Sequence, residues 1–331
     1  MSIISVFFYL NLTVESKQVI YIPKGSTSSI ITYLDKKEYE LNIIDKLTIN
    51  YLGYPQNGWI DLKSTQMSKF DFLHKLTTSK AALRNVTLIP GETYYFFLKE
   101  VALKLKISEE LLFVYYNEYA FRKDGNILAQ TYALPIGMDE EELILYLIKY
   151  TNKQYEEYSN KIFGQYNQEN WFKYISIASV IQKEAANVKE MPTVSSVIYN
   201  RLKKGMKLQM DGTLNYGKYS HTRVTPKMIR TDKSSYNTYK YKSIPSHPVC
   251  AVEFNSIKSA VFPQTTKYLY FMKSYDGKGH IFTTSYKNHK KVIQQIRKAK
   301  RTKRPPVIKK TIIKSQKKKK PINIKSIWSK I

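Results

Sequence analysis

One acidic side chain is predicted to lie on the apolar face of a helix. In the stretch SIASVIQKEAANV, residues 176–188, Glu184 falls at helical spacing from four apolar residues, Ile177, Val180, Ile181 and Val188. Burial disfavours the ionised form of a carboxyl group and raises its pKa, as a general acid working near neutral pH requires. The alternative is a structural glutamate paired with a basic residue such as Arg201.

A second group of polar and aromatic side chains follows in residues 206–285. This segment is rich in Tyr, Gly, Pro, Ser and Asn, a composition that predicts loops over a cleft. The candidates for binding a neutral, hydroxyl-rich ligand such as a sugar are Gln209, Asp211, Tyr216, Asn237, Tyr239 and His280. The chain contains 28 tyrosines. A bias of composition therefore explains this group equally well on its own.

The elements upstream predict an α+β first half. Residues 17–39 read as a strand, a turn at Lys24-Gly25, a Ser/Thr cap and an amphipathic helix. Residues 85–112 repeat this order, which indicates a duplicated strand–helix unit. Between the two copies, GYPQNGWIDL predicts a strand, and a helix is expected to begin near Ser68.

The second half is predicted to be mostly helical before the loops. The acidic start MDEEEL after residue 137 favours the N-terminus of a helix. Another helix is expected from Met191, with its stop at Gly205, and it should pack against the Glu184 helix. The segment KYLYFMKS predicts a strand within the later loops.

Composition limits the broad class. The chain has 331 residues, 43% of them hydrophobic, which is enough for a globular protein of two or three modules. Its net charge is +28, and the segment from Arg297 to Ile331 holds 15 basic residues and no acid. A single cysteine, Cys250, excludes an intramolecular disulfide and a cysteine-cluster metal site. No phosphate-binding loop or metal-ligand cluster is present, and we predict no cofactor.

The N-terminal stretch MSIISVFFYLNLTV is apolar over about a dozen residues, short of the roughly 20 that cross a bilayer as a helix. It also lacks the basic region and cleavage site of a signal peptide. Two interpretations stay open: a shortened membrane anchor, or an ordinary first strand.

Four segments in this order resemble the YceG-like family of endolytic murein transglycosylases: SIASVIQKEA, VSSVIYNRLKKGMKLQMDGTLNYG, SSYNTYKYKSIPSHPV and KYLYFMKSYDGKGHIFTTSYKNH. The resemblance runs from about residue 170 to 297. Upstream it is weaker: Ile89-Pro90-Gly91-Glu92 is similar to a LysM-like subdomain of the family, and ILAQTYALPIGM is similar to its linker.

The resemblance assigns roles residue by residue. The family's catalytic glutamate, the last acid of a Glu-Lys-Glu motif, matches Glu184, while the first acid is Gln182 here. An Arg-Leu-Gln-Ser/Thr-Asp-Pro-Thr segment matches residues 207–213, with Gly212 in place of proline. Further matches are Tyr236 to Tyr239 and Gly279-His280, whereas Pro-Pro-Gly-Pro-Ile becomes Pro245-Ser246-His247-Pro248-Val249.

The resemblance implies a fold and a domain order. The expected fold is α+β, with LysM-like N-terminal modules, a mixed α/β catalytic domain and a basic disordered C-terminal tail. The expected segments are a short apolar N-terminus or truncated anchor at 1–16, an α+β membrane-proximal module at 17–84, a LysM-like subdomain with linker at 85–137, the catalytic domain at 138–297 and the tail at 298–331.

The resemblance also implies an activity: cleavage of the β-1,4 bond between N-acetylmuramic acid and N-acetylglucosamine without water, which gives 1,6-anhydro ends and terminates nascent strands. Glu184 would be the catalytic acid and base, and the six candidates above would bind substrate. The implied partners are peptidoglycan glycan strands, peptidoglycan synthases and the membrane through the N-terminal anchor. The implied location is the bacterial inner membrane, single-pass, with the enzyme domain on the periplasmic side.

Two other classes of function remain open from the residues. A non-catalytic peptidoglycan-binding protein would hold glycan strands with the LysM-like halves and the Tyr-rich groove, and it would tie Glu184 to Arg201. Nucleic-acid binding is suggested only by charge: Lys317 to Lys320 carry no interleaved aromatic residues and no recognition motif, which indicates non-specific attraction to polyanions. We therefore expect no specific nucleic-acid partner.

Overall fold

The computed structural model describes residues 3–302, which fold into two compact units. Unit 1 comprises the described residues up to Thr87 together with Leu98–Tyr119 and Thr131–Leu147. Unit 2 comprises Leu88–Phe97, Ala120–Gln130 and the described residues from Ile148 onward. Among the described residues, unit 1 combines helices with three two-stranded antiparallel sheets, and unit 2 combines helices with one.

Unit 1 contains the first strands and helices of the chain. The helices are α1 Ile3–Leu10, α2 Thr27–Asp35, α3 Ile43–Leu52, α4 Lys69–Thr78, α5 Tyr94–Leu105 (whose first turn belongs to unit 2), α6 Glu109–Tyr119 and the start of α7 Glu140–Phe163. The strands are β1 Thr13–Glu15, β2 Val19–Ile22, β3 Gly58–Asp61, β4 Gln66–Ser68, β5 Leu83–Thr87 and β6 Thr131–Pro135. They pair as β1 with β4, β2 with β3 and β5 with β6.

The predicted strand–helix order is confirmed in both copies, since β2 precedes α2 and β5 precedes α5. The capping residues explain where the helices begin. Ser26 accepts the Ser29 N–H at the start of α2, and Ser68 accepts the Asp71 N–H at the start of α4. The strand and helix expected between the copies are β3 and α4.

The N-terminal stretch is not the ordinary first strand that one interpretation expected. Residues Ile3–Leu10 form a helix, and a strand follows only at Thr13–Glu15. The last turn of α1 is held in place by Tyr9, whose hydroxyl donates to Asp45 at 2.6 Å and accepts from Lys69 at 3.0 Å. Within residues 3–302, no helix is long and apolar enough to cross a membrane.

Unit 2 is built from longer helices and extended loops. Its helices are the remainder of α7, α8 Gln168–Glu184, α9 Met191–Lys203, α10 Pro226–Thr231, α11 Phe254–Val261 and α12 Tyr286–Thr302. Its strands β7 Tyr270–Lys273 and β8 His280–Thr283 pair antiparallel, and β7 is the strand predicted from KYLYFMKS. Single 3-10 turns lie at Val188–Glu190, Asp211–Leu214 and Gly217–Tyr219.

The core of unit 2 surrounds α8, which is buried along most of its length. Helices α9 and α11 pack against it, so the predicted pairing of the first two is confirmed. As expected, α9 stops before Gly205, whose positive φ of 64° favours glycine. The main side chains of this core are Trp171, Ile175, Ile177, Val180, Ile181, Val194, Ile198, Ile257 and Ala260.

The predicted domain boundaries stay predictions. Leu88–Phe97 and Ala120–Gln130 fall inside the expected segment 85–137, and both belong to unit 2. Backbone hydrogen bonds fix these residues there: Gly91 donates to Ala251 at 3.0 Å, and Ala129 donates to Val252 at 2.9 Å. The expected basic tail begins within the last turns of α12, and residues 303–331 lie outside the described part of the chain.

We expect the Tyr199 hydroxyl to contribute measurably to the stability of unit 2. It is buried and donates to the Ala260 carbonyl at 2.7 Å, which joins α9 to α11. We expect Tyr199→Phe to lower the free energy of unfolding in urea by about 1–2 kcal/mol, because a buried carbonyl loses its donor. Tyr241→Phe is the matched control, since the exposed Tyr241 makes the same kind of bond, to Lys233. Equal losses in both variants would contradict the expectation.

Candidate active site

Glu184 is the last residue of α8. The turns that precede it are fully buried through Ile177, Val180 and Ile181, each 0% exposed. The helix ends because Ala185 takes an extended backbone conformation, with φ −74° and ψ 132°, while its N–H still donates to the Ile181 carbonyl at 2.9 Å. The carboxyl group therefore projects from the end of a rigid, buried helix.

The prediction that Val188 shares this helical face is wrong. Val188 lies in the 3-10 turn Val188–Glu190 and is 47% exposed. The chain has already left the helix, because Asn187 is extended and its side chain accepts the Glu190 N–H at 3.3 Å to start the new turn.

The Glu184 carboxyl is surrounded by protein, although the residue as a whole keeps some exposed surface. Desolvation raises its pKa to about 7. The negative charge of Asp211 raises the pKa further, whereas a hydrogen bond from Gly212 and the positive charge of Arg201 lower it. A carboxyl with this pKa is present in both protonation states near neutral pH, so it can give up a proton and take one back.

Arg201 does not form the ion pair with Glu184 that the structural alternative requires, because none of the ion pairs between residues 3 and 302 joins the two. Its guanidinium donates instead to backbone carbonyls, to Leu269 at 2.6 Å, to Leu208 at 2.7 Å and to Lys207 at 3.0 Å. Arg201 thus holds the loop that leads to Gly212, and its charge reaches Glu184 only at longer range.

That loop, residues 207–214, brings its backbone to the end of α8. The Gly212 N–H donates to Glu184 Oε1 at 2.9 Å. Thr238 fixes the loop from the other side: its carbonyl accepts the Gln209 N–H and its hydroxyl accepts the Met210 N–H, both at 3.1 Å. Arg201 at the start of the loop and Thr238 in its middle therefore set the loop conformation together.

Two of the predicted sugar-binding residues lie beside Glu184. Tyr239 donates its hydroxyl to Asp211 Oδ1 at 2.5 Å, and the charges of both Asp211 and Glu184 act on the Tyr239 hydroxyl to raise its pKa, after desolvation as the main cause. Gln209 is exposed on the same loop with a positive φ of 52°, and its side chain makes no hydrogen bond to another described residue. Tyr239 and Asp211 thus lie next to the Glu184 carboxyl, and the roles of Tyr239, Asp211 and Gln209 as sugar contacts stay predictions.

Asn237 and Tyr216 are held in the neighbouring loop instead. Asn237 is 0% exposed; its amide nitrogen donates to the carbonyls of Ile229 and Asp232, both at 2.9 Å, and its oxygen accepts the Tyr239 N–H at 3.1 Å. Tyr216 stacks on Tyr236 with ring centroids 4.0 Å apart and donates to Asp232 at 3.0 Å. Their roles as sugar contacts stay predictions. In the structure Asn237 orders the loop that presents Tyr239.

His280 is fixed by Glu190, a residue that sequence reasoning missed. One Glu190 carboxylate oxygen lies 2.6 Å from His280 Nδ1 and accepts the Ala186 N–H at 2.5 Å, and the other accepts the His280 N–H at 3.0 Å. Both side chains are nearly buried, at 12% and 11% exposed. This contact joins the start of β8 to the segment just after Glu184. The spacing Asn187-x-x-Glu190, typical of helix starts, is the signal that could have drawn attention to it.

A cavity of about 470 Å³ lies at the opposite end of α8, lined by Ser159, Ile162, Phe163, Gln165, Asn167, Asn170, Trp171, Lys173 and Tyr174. None of these is a predicted site residue, and Trp171 is roughly 20 Å from Glu184 along the helix axis. Residues 3–302 also contain no group of three or more His, Cys, Asp or Glu side chains placed to hold a metal ion.

Comparison with known proteins gives a family and a name for relatives of this chain. The model of the YceG-like family matches residues 20–295. The endolytic murein transglycosylase of Bacillus subtilis is 36% identical over 152 residues, 46% of this chain and 41% of that protein. The endolytic murein transglycosylase of Streptococcus pneumoniae serotype 2 is 25% identical over 181 residues, 53% of this chain and 32% of that protein. The matched region spans less than half the length of these relatives.

A solved structure shares the fold. The crystal structure of a YceG-like protein from Listeria monocytogenes superposes with a TM-score of 0.55 at 23% identity, covering 85% of this chain and 98% of that chain.

The raised pKa of Glu184 predicts a pH-dependent contribution to stability. An unfolded glutamate has a pKa near 4.5, and the folded value is about 7, so between these values the folded protein keeps a proton that the unfolded chain has released. The stabilisation is complete below about pH 4.5 and is lost as pH rises to about 7. Between about pH 4.5 and 7, the free energy of unfolding of the unmodified protein should fall by on the order of 2–3 kcal/mol relative to that of Glu184→Gln. Urea unfolding at a series of pH values measures this difference.

The control for this titration is Glu110→Gln, which makes the same chemical change at an exposed residue of α6. Its stability difference from the unmodified protein should stay constant over the same pH range. A constant difference for Glu184→Gln as well would show that the carboxyl titrates like an exposed one.

The contrast between Asn237 and Gln209 gives a second prediction. We expect Asn237→Ala to lower the free energy of unfolding by about 1–3 kcal/mol, because the variant loses the hydrogen bonds of a buried amide to the Ile229 and Asp232 carbonyls and to the Tyr239 N–H. Gln209→Ala should leave stability within about 0.5 kcal/mol, because the side chain is exposed. Thermal and urea unfolding of the two variants measure this directly. A destabilised Gln209→Ala together with an unaffected Asn237→Ala would reverse the assignment.

Proposed function

This chain belongs to the YceG-like family, and we propose that it is an endolytic murein transglycosylase. The observation that carries the proposal is the state of Glu184: a desolvated carboxyl with a pKa of about 7, free of an ion pair with Arg201 and touched by a single backbone N–H. The names of the relatives in Bacillus subtilis and Streptococcus pneumoniae supply the substrate class.

The proposed reaction uses one residue as acid and then as base. Protonated Glu184 donates its proton to the glycosidic oxygen as the bond from that oxygen to muramyl C1 breaks. The muramyl C6 hydroxyl oxygen then bonds to C1, and its proton passes to the Glu184 carboxylate. The ring closes as a 1,6-anhydro sugar, no water is consumed, and the enzyme returns to its protonated state.

Asp211 and Tyr239 support this sequence of steps. The Asp211 carboxylate raises the pKa of Glu184, which keeps the acid protonated at the start of the reaction. Its negative charge also favours the positive charge that develops on the sugar as the bond breaks. Tyr239 holds Asp211 in place, and the exposed side chain of Gln209 is available to bind a sugar hydroxyl or acetamido group.

A second carboxylate working as a hydrolytic base is the competing mechanism within the enzyme class. Asp211 is the nearby candidate, but its Oδ1 already accepts the Tyr239 hydroxyl, and the resemblance gives it a hydrogen-bonding role. We therefore assign the anhydro product rather than a reducing end. The non-catalytic peptidoglycan-binding alternative requires an ion pair between Glu184 and Arg201. Arg201 binds backbone carbonyls instead, which argues against that alternative.

The cellular setting is part of the same proposal. We place the protein at the bacterial cell membrane with unit 2 on the outer side, where it ends nascent glycan strands next to peptidoglycan synthases. The exposed side chains of α1, with Ile4, Phe7 and Phe8 at 66–69% exposed, give the N-terminal segment an apolar surface that suits a membrane contact. The LysM-like assignment for the segment around Ile89 to Glu92 belongs here too, as a glycan-holding element.

Glu184→Gln tests the proposed function. The variant keeps the size of the side chain and its capacity to accept the Gly212 N–H, but it cannot exchange the proton. We expect the rate of release of soluble fragments from purified peptidoglycan to fall at least about 100-fold. Mass spectrometry of the fragments and melting temperature are measured on the same preparation.

The matched control is Glu110→Gln, which should release fragments at the rate of the unmodified protein. Retained cleavage in a folded Glu184→Gln variant would remove Glu184 from the reaction. Binding of glycan strands with no cleavage by the unmodified protein would favour the non-catalytic alternative.

A further inference from the structure

Gly212 approaches Glu184 more closely than any residue with a side chain could. Its N–H donates to Glu184 Oε1 at 2.9 Å. A Cβ atom on Gly212 would lie 2.6 Å from the Cβ of Lys183 and 2.8 Å from Glu184 Oε1, both shorter than real Cβ contacts. The absence of a side chain is therefore what lets the loop backbone reach the carboxyl group.

A backbone N–H can only donate a hydrogen bond. A protonated carboxyl has one oxygen that carries the proton and one that can only accept. The carbonyl oxygen of an acid accepts more strongly than its hydroxyl oxygen, so the Gly212 N–H favours Oε1 as the carbonyl oxygen of the protonated acid as well as an acceptor in the carboxylate. The proton is then left to Oε2, which receives no hydrogen bond from another described residue.

We propose that Gly212 is a positioning residue that reserves Glu184 Oε1 as an acceptor in both protonation states, so that Oε2 alone gives up and recovers the proton. The proposal rests on the proposed function, since it specifies which atom of the catalytic acid reacts. One oxygen working in both steps suits a mechanism in which acid and base are the same residue. The segment that this loop resembles has proline at this position, and proline has no N–H with which to make the bond.

The other groups that act on Glu184 keep their own partners. Asp211 accepts a hydrogen bond from Tyr239, and Arg201 donates to backbone carbonyls. The Lys183 ammonium donates to Ser220 at 2.9 Å. Asp211 raises the pKa of Glu184, whereas Arg201 lowers it from a distance. Among the described contacts of the Glu184 carboxyl, the bond from Gly212 is thus the one that distinguishes its two oxygens.

Nuclear magnetic resonance on the unmodified full chain tests the bond directly. The protein has 12 glycines, so labelling glycine with nitrogen-15 gives few enough backbone signals to follow one by one, and loss of a signal in Gly212→Ala assigns the residue. We expect the Gly212 amide proton to move downfield as pH rises, with the same midpoint, about 7, as the carboxyl carbon of Glu184.

In Glu184→Gln this pH-dependent movement should disappear. A Gly212 amide that does not follow the titration of Glu184, or that still titrates in Glu184→Gln, would overturn the proposal. The measurement needs no activity, so it decides the role of Gly212 even if the chain proves not to cleave peptidoglycan, which is the failure that would sink the proposed function.

Variants at position 212 test the same bond through activity. Gly212→Ala adds a Cβ that prevents the close approach, and Gly212→Pro also removes the N–H, so both variants should lose the hydrogen bond to Glu184. A hydrogen bond to the charged form lowers the pKa of an acid, so the alkaline limb of the kcat/KM profile for peptidoglycan cleavage should lie about one pH unit higher in both variants than in the unmodified protein. Folded variants whose alkaline limb coincides with that of the unmodified protein would show that the N–H does not act on the proton transfer.

Discussion

The site depends on the cost of removing one carboxyl group from water. Glu184 ends a helix whose residues Ile177, Val180 and Ile181 are fully buried, and desolvation is the main cause of its raised pKa. Burial of an ionised carboxylate is energetically unfavourable unless a cation pairs with it. The described contact of Glu184 is a backbone N–H rather than a cation. The consequence is an acid that holds its proton more tightly than an exposed glutamate and therefore exchanges it near neutral pH.

The neighbouring side chains do not compensate the desolvation of the Glu184 carboxyl group. Arg201 is the nearby cation that could neutralise Glu184, but its guanidinium donates to the carbonyls of Leu269, Lys207 and Leu208. By doing so it fixes the loop that carries Asp211, whose negative charge acts in the opposite direction and keeps the carboxyl protonated. The loop and the helix therefore determine the chemistry together, and neither would produce it alone.

The sequence predicted the parts of this arrangement that follow from local patterns. Helical periodicity placed Glu184 on the buried side of α8, and capping and glycine signals located helices such as α9. It could not predict where α8 ends, so Val188 was assigned to the wrong face. It also could not distinguish an amide that faces a ligand from one that orders a loop, because the partners of Asn237 are carbonyls that no side-chain pattern reveals. Contacts between distant segments, such as Glu190 with His280, arise only from the tertiary fold.

The central claim is that Glu184 cleaves glycan strands without water, and digestion of purified peptidoglycan in oxygen-18-labelled water tests it most directly. The account predicts that the new muramyl ends carry no label and are lighter by one water than reducing ends, because the C6 oxygen of the same sugar closes the ring. Labelled reducing ends would contradict it, since they require water as the nucleophile and a second group to activate that water.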